Sequence, residues 1–288
     1  MGKKLGVLWR WKIMQKSLFR ATAWILLLLG AVISLIPFFW LIRSSLMTTT
    51  EIFAFPPKLL PEQWLWGNFV EIFDVVQFGL YFKNTLFILI PVLIGTVATS
   101  CLCGYGFARL RFPGRDIWFA MILATMMLPP AVTLIPTFMV WTELGGINTF
   151  WPLVFPSFFG GGGFFIFLMR QFFMSIPKEL DEAALIDGAN YFQIFFLVLL
   201  PLVKPALLVV GFFTFTNVWN DFFGPLIYLN DESKFTLALG LLQLQGSYTS
   251  DWNLIMAAAA VMTLPAIVLF FIGQKYFVEG ITLTGIKG

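Results

Sequence analysis

Long apolar runs separated by short charged stretches set the pattern of this 288-residue chain. Charge-free runs cover residues 21–42, 84–108, 117–142, 144–169 and 253–274. As a helix, each can cross ~30 Å of hydrocarbon, which takes roughly 20 residues. A sixth run, 205–220, is shorter and extends backward through Lys204 and Leu202. None of these runs alternates apolar and polar positions over ~10-residue strands, as a membrane β-barrel does. Helices satisfy their own backbone polar groups in lipid. The pattern therefore predicts an all-α membrane protein with six transmembrane helices, read as one domain over 1–288.

The stretches between the runs differ in kind. Residues 43–83 are too long for a tight turn and carry Glu51, Glu62, Glu71, Asp74, Pro56, Pro57, Pro61, Trp64 and Trp66. They read as an external loop along the membrane surface, with tryptophans at headgroup level. A second external segment, 221–252, contains Asp231, Glu232 and Asp251. Its uncharged middle, 235–250, fits a re-entrant or a surface helix. The run Gly160-Gly-Gly-Gly163 weakens a helix by about 1 kcal/mol per glycine. It fits a pliable point on a pathway, a close helix–helix contact, or a helix start.

Composition and charge add orientation and exclusions. Hydrophobic residues make up 59% of the chain and charged residues 11%, against about 25% charged in a soluble domain. With the N-terminal segment 1–20 inside, fourteen lysines and arginines fall on the inner side, the tail 275–288 included. Only Arg43, Lys58, Lys83 and Lys234 fall outside. This bias predicts both termini in the cytoplasm. The first run has no cleavage site after it and reads as a retained helix. No histidine is present, and Cys101 and Cys103 point to different faces of one predicted helix. No metal site is expected, and nothing suggests nucleic-acid binding. No glycine-rich phosphate loop is present.

One polar island interrupts the apolar pattern. Ser175-Ile-Pro-Lys-Glu-Leu-Asp-Glu-Ala-Ala-Leu-Ile-Asp-Gly188 opens like a helix: Pro177 suits a first helical position, and Glu179, Asp181 and Glu182 favour the positive end of the dipole. Small residues flanked by carboxylates make a knob for another protein's groove. A mere connector between two spans is the plain alternative. Pro201 and Pro205 then interrupt the backbone, so the next span re-enters at a new angle. At the outer end of that span cluster Asn217, Trp219, Asn220 and Asp221, which suit either a solute path or bonds to the neighbouring loop.

The island resembles the EAA motif of binding-protein-dependent ABC importer permeases: Glu182-Ala-Ala184, three residues, Gly188, nine residues, then Val198-Leu-Leu-Pro201, with Val198 where the motif has isoleucine. Asp187-Gly188-Ala189, Phe167-Leu-Met-Arg-Gln-Phe-Phe173, Trp219-Asn-Asp-Phe-Phe-Gly-Pro-Leu226 and the tail from Gln274 to Gly288 are similar to the carbohydrate branch, and to its maltose-type second permeases.

The resemblance implies a non-catalytic subunit of a prokaryotic inner-membrane importer. It would form half of a translocation path with a second, homologous permease. Two ATPase subunits would bind the ATP and magnesium, and an external solute-binding protein would deliver a carbohydrate. A polyol, a glycerol phosphate or another small polar solute is the alternative. The island, 175–193, would be the coupling helix, with Glu182 and Asp187 as polar anchors and Ala183, Ala184 and Gly188 giving a close fit to an ATPase cleft. Segment 221–252 would meet the binding protein, and the tail would reach the ATPase pair or end plainly. The principal sugar site can belong to the other permease. An intramembrane enzyme would need paired carboxylates or histidines at membrane depth, which the runs lack. A stand-alone channel leaves the island without a purpose.

Overall fold

The first apolar run forms one helix, α1 (Gly2–Ser45). The computed structural model describes residues 2–244 and 251–285, with side chains for 19–244 and 251–274. The longer elements that follow are α2 (Asn68–Val75), α3 (Phe78–Arg109), α4 (Arg115–Thr125), α5 (Pro130–Glu143), α6 (Gly163–Ser175), α7 (Glu179–Ile186), α8 (Lys204–Trp219) and α9 (Trp252–Gly285). No strand occurs among the described residues.

Four stretches are long and apolar enough to cross a membrane: Phe19–Ser45, Phe78–Arg109, Trp151–Ser175 and Trp252–Gln274. Two more are bent pairs. Helices α4 and α5 meet at 98°, and Tyr191–Leu202 meets α8 at 75°. Counting each pair once gives the six crossings expected.

Two expected spans change shape. The run 117–142 is not one straight helix, because Pro129 is extended at φ −60°, ψ 136° ahead of Pro130. A residue before proline is pushed out of the helical region. The span expected over 144–169 starts late: Leu144 caps α5, and helix resumes at Trp151–Val154, continuing as a 3-10 turn, Phe155–Phe159. The glycine run follows, with Gly160, Gly161 and Gly162 all at positive φ, before α6 begins. The run is thus a break and a helix start together.

The chain divides into two compact units. One holds residues up to Ile72 together with 251–261. There, α1 stays exposed along nearly all of its apolar length and buries its end, Arg43 to Met47. Asn68 Nδ2 donates to the carbonyls of Ser45 (2.8 Å) and Met47 (3.3 Å), so the loop expected over 43–83 folds back on the helix end. Trp64 and Trp66 are exposed and stacked, with ring centroids 6.4 Å apart.

The other unit runs from Phe73 through 244 and resumes at Met262. It is built around α3. A Cβ on Gly104 would lie 2.5 Å from Met169 Cβ and 2.9 Å from Arg170 N, so α3 and α6 cross backbone to backbone there. Cys101, Tyr105, Met169, Phe173, Phe195 and Leu199 form the core beside that crossing. At the other end of α3, the segment after Phe235 packs down rather than lying free. Leu237 N donates to Thr85 Oγ1 (2.9 Å), and Gly240 sits against the Tyr81 ring. Residues 245–250 of that predicted segment, residues 286–288 of the tail, and the side chains of 1–18 and 275–288 lie outside the described residues.

Candidate functional site

The polar island folds as a short helix closed at its far end by its own backbone. Lys178 is the N-cap of α7, so Pro177 lies just ahead of the helix rather than in its first turn. Glu179, Asp181 and Glu182 fill that first turn, where negative charge is favoured. At the other end Ala189 N donates to Ala184 O (2.9 Å) and Gly188 N to Leu185 O (3.0 Å). These two bonds make a Schellman cap, and Gly188 takes the left-handed conformation it needs, at φ +84°. Nothing lies within 4 Å of where a Gly188 Cβ would be. Within this chain, the spacing from Glu182 to Gly188 therefore spans the second half of the helix and its stop. Asn190 then starts the next element with a capping box: Gln193 N donates to Asn190 Oδ1 (2.9 Å), and Asn190 N to Gln193 Oε1 (2.8 Å).

Beyond Gln193 the backbone widens into one π-helical turn, Ile194–Leu199, directly ahead of Pro201. Proline lacks an N–H and its ring crowds the preceding turn, which a wider turn relieves. The helix ends at Leu202, and the 75° bend at Val203 sends α8 off in its new direction.

The two alanines of the motif face different ways. Ala184 packs with Ala189 against the core. Glu182, Ala183, Asp187 and Gly188 are exposed. Beside them Ile186 is 87% exposed, with Leu180 and Leu185 also open. The outer face of α7 thus mixes carboxylates with uncovered apolar side chains.

One face of α3 holds the island at three places. Tyr105 Oη donates to the Tyr191 carbonyl (3.0 Å), and Arg109 Nη2 donates to the Ile176 carbonyl (2.7 Å). Arg109 Nε lies 3.2 Å from Asp181 Oδ2 but off the line of a hydrogen bond, so charge rather than alignment joins that pair. The guanidinium is almost fully buried. Burial pushes the Asp181 carboxyl above its ordinary value, and the charge on Arg109 offsets this only in part. Around the pair opens a cleft of about 510 Å³, whose rim carries Arg111, Arg115, Lys178 and Glu182. Sequence reasoning missed Tyr105, Arg109 and Asp181 as a group. The available signal was Tyr105 and Arg109 four residues apart at the end of an apolar run, a spacing that puts both on one helix face.

The outer cluster separates. Asn217 is exposed and lines a cavity beside the glycine break. Trp219 is buried, stacked on Phe215 at 5.3 Å, and its Nε1 donates to the Met262 carbonyl (2.9 Å). Asn220 Nδ2 donates back to Thr216 O (2.9 Å). Asp221 Oδ1 accepts from Gly224 N (3.0 Å) at the start of the short helix Phe223–Tyr228. Burial pushes the Asp221 carboxyl up, while the N–H groups of Gly224 and Phe223 pull it down. No group of three or more metal-ligating side chains occurs among the described residues.

These features have relatives. The arabinooligosaccharides transport system permease protein AraQ of Halalkalibacterium halodurans is 32% identical over 263 residues, covering 90% of this chain and 93% of that protein. The sn-glycerol-3-phosphate transport system permease protein UgpE of Pectobacterium atrosepticum is 32% identical, covering 89% and 94%. A chain of a bacterial ABC transporter that imports the acidic polysaccharide alginate superposes with a TM-score of 0.78 at 25% identity, covering 90% and 96%. With residues 92–283 matching the family described as binding-protein-dependent transport system inner membrane component, this chain belongs to that family and is a multi-pass permease subunit of the prokaryotic inner membrane.

Proposed function

We propose that this chain is the permease half of an ATP-driven importer of carbohydrate, coupled through α7 to an ATPase subunit. The observation that carries the reading is the outer face of α7. A capped helix outside the apolar spans leaves Ile186 87% exposed among Glu182, Ala183 and Asp187. Exposed apolar groups rimmed by charge mark a protein contact. In this reading Glu182 and Asp187 meet polar groups of the ATPase cleft, and Ala183 lets that cleft close on the helix. Gly188 and Pro201 set where the helix stops and where the next span turns. ATP and magnesium are held by the ATPase pair, a second permease completes the path, and a binding protein brings the solute from outside. Both termini lie in the cytoplasm, as the charge bias favours.

Coupling then has a physical route. Nucleotide state shifts the path only if α7 has different contact energies in the two states, and the α3 contacts at Tyr105 and Arg109 tie any movement of α7 to a spanning helix. The test is solute-stimulated ATP hydrolysis by the chain co-assembled with a companion permease, the ATPase and the binding protein in vesicles. Glu182→Lys is expected to abolish stimulation while the membrane pair still assembles. Unchanged stimulation means that α7 is only a connector.

A further inference from the structure

We infer that the cleft between the α3–α4 turn and α7 holds the headgroup of an anionic phospholipid from the leaflet that borders α7. The inference needs the membrane placement of the chain and goes beyond the importer reading.

The turn is short and basic. Arg109-Leu-Arg-Phe-Pro-Gly-Arg115 joins α3 to α4 and carries three arginines. All three line the cleft of about 510 Å³ beside α7, and Lys178, the N-cap of α7, lines it from the other side. A second cavity, of about 440 Å³, adjoins the first: Arg111, Phe112 and Arg115 line both, and the second reaches Gly114 and Ile117. Each volume falls in the range of small-molecule sites, roughly 300–1,000 Å³. Ile117 opens the apolar run 117–142, and Ile117, Trp118 and Met121 are exposed on the first turns of α4. The two cavities therefore lead from α7 to the edge of a spanning element.

Two of the four cations are already paired. Arg109 is spent on Asp181 and the Ile176 carbonyl. Arg115 Nε lies 3.0 Å from Asp116 Oδ1. Arg111 and Lys178 are exposed, and neither has an ion pair among the described residues. Of the carboxylates in the two linings, Asp116 and Asp181 are the paired ones, and Glu182 remains. Two open cations against one open carboxylate leave an excess that suits an anion. Guanidinium and ammonium groups both bind phosphate, the first in a planar fork.

The apolar surroundings select the source of that phosphate. Phe112, Ile117 and Trp118 make an exposed step beside the arginines. A Cβ on Gly114 would lie 3.4 Å from Trp118 Nε1, so the indole rests against the turn itself. Tryptophan at the end of a span marks headgroup depth, and basic pockets between spanning helices take anionic headgroups. A glycerophospholipid answers both features. Its phosphodiester oxygens accept from Arg111 and Lys178, and its acyl chains cover Ile117 and Trp118. A soluble phosphate, or a carboxylate of another subunit, leaves that apolar step bare.

The test places the chain with its companion permease in phosphatidylcholine nanodiscs, with and without the ATPase. Brominated phosphatidylglycerol or brominated phosphatidylcholine is added in series, and quenching of Trp118 is read as the difference between the native protein and Trp118→Phe. Two open cations predict a preference for phosphatidylglycerol of roughly 10- to 30-fold, at about fivefold for each. Arg111→Gln and Lys178→Gln should each cut it by about fivefold, and Arg111→Lys should keep most of it. The two glutamine variants read the cleft from opposite sides, so a folding defect in one leaves the other to decide. Equal quenching by the two lipids, or a preference that survives both glutamine variants, overturns the inference. So does a preference abolished by excess inorganic phosphate, which makes the site one for a soluble anion, or lost when the ATPase binds, which gives the cleft to that subunit. None of these readouts depends on ATP hydrolysis, so the importer reading stands or falls apart from them.

Discussion

Helix α3 meets the rest of its unit in two contrasting ways. At its Arg109 end the contacts are long polar side chains: a buried guanidinium and a tyrosine hydroxyl reach the segments on either side of α7, and an ion pair reaches α7 itself. In its middle, near the broken span, the contacts are made by small residues, Gly95, Thr96 and Thr99. The first arrangement fixes direction, because a guanidinium and a phenol bond along defined lines. The second fixes distance and leaves room beside it. Long side chains tie α3 to α7, and the absence of them brings α3 close to the broken span.

The largest effect is expected where the polar grip is removed on one side. Arg109→Ala leaves Asp181 partly buried without its cation, at a cost of about 3 kcal/mol, the low end for a buried pair. Removing Asp181 as well should cost less than the two single changes together, and thermal melts of all four proteins in nanodiscs check this. Additive losses break the proposed pairing. Next comes the close crossing. Gly104→Ala places a methyl 2.5 Å from Met169 Cβ, and such overpacking costs about 1–3 kcal/mol. The same melts should show it, and Met169→Ala should not relieve it, because the atoms that the methyl meets are the Met169 Cβ and the backbone.

A smaller loss is expected at the stop of α7. Gly188→Ala puts a side chain at φ +84°, which costs about 1 kcal/mol. Gly188→Asn should cost less, because asparagine tolerates this conformation. If alanine and asparagine behave alike in hydrogen exchange across 179–189, the cap is not what ends the helix. The smallest expected effect is on pH dependence. The folded-state pKa of Asp181 is raised from 3.8, so the folded state holds its proton more tightly than the unfolded chain. That contribution is fully present below 3.8 and is lost as pH rises through the raised value. Asp181→Asn should remove this slope from the melting temperature in mildly acidic buffer.

Legibility in the sequence followed the range of the forces involved. Apolar runs announce spans because each residue in them must satisfy the same lipid environment. Helix α7 was legible for a related reason: its cap bonds join residues within a few positions of each other, so Glu182, Ala184 and Gly188 carry the pattern in order. The Leu128-Pro129-Pro130 break was also written locally and was passed over because the hydropathy across it is continuous. The grip on α7 was not legible, since Arg109 and Asp181 meet only once α3 and α6 have packed. Of the cavity beside the glycine break, Asn217 and the glycine run stood out. Trp219, singled out by its polar neighbours, is buried with its ring stacked on Phe215.

The crossing at Gly104 lies close to one end of a long rod. At 1.5 Å per residue it is about 7 Å from Arg109 and about 39 Å from Phe78. A rod turning about that point works as a lever with unequal arms. A displacement of about 1 Å imposed at the Arg109 end becomes on the order of 5 Å at the other, which makes Gly104, one of four glycines on α3, the place where its gearing is set.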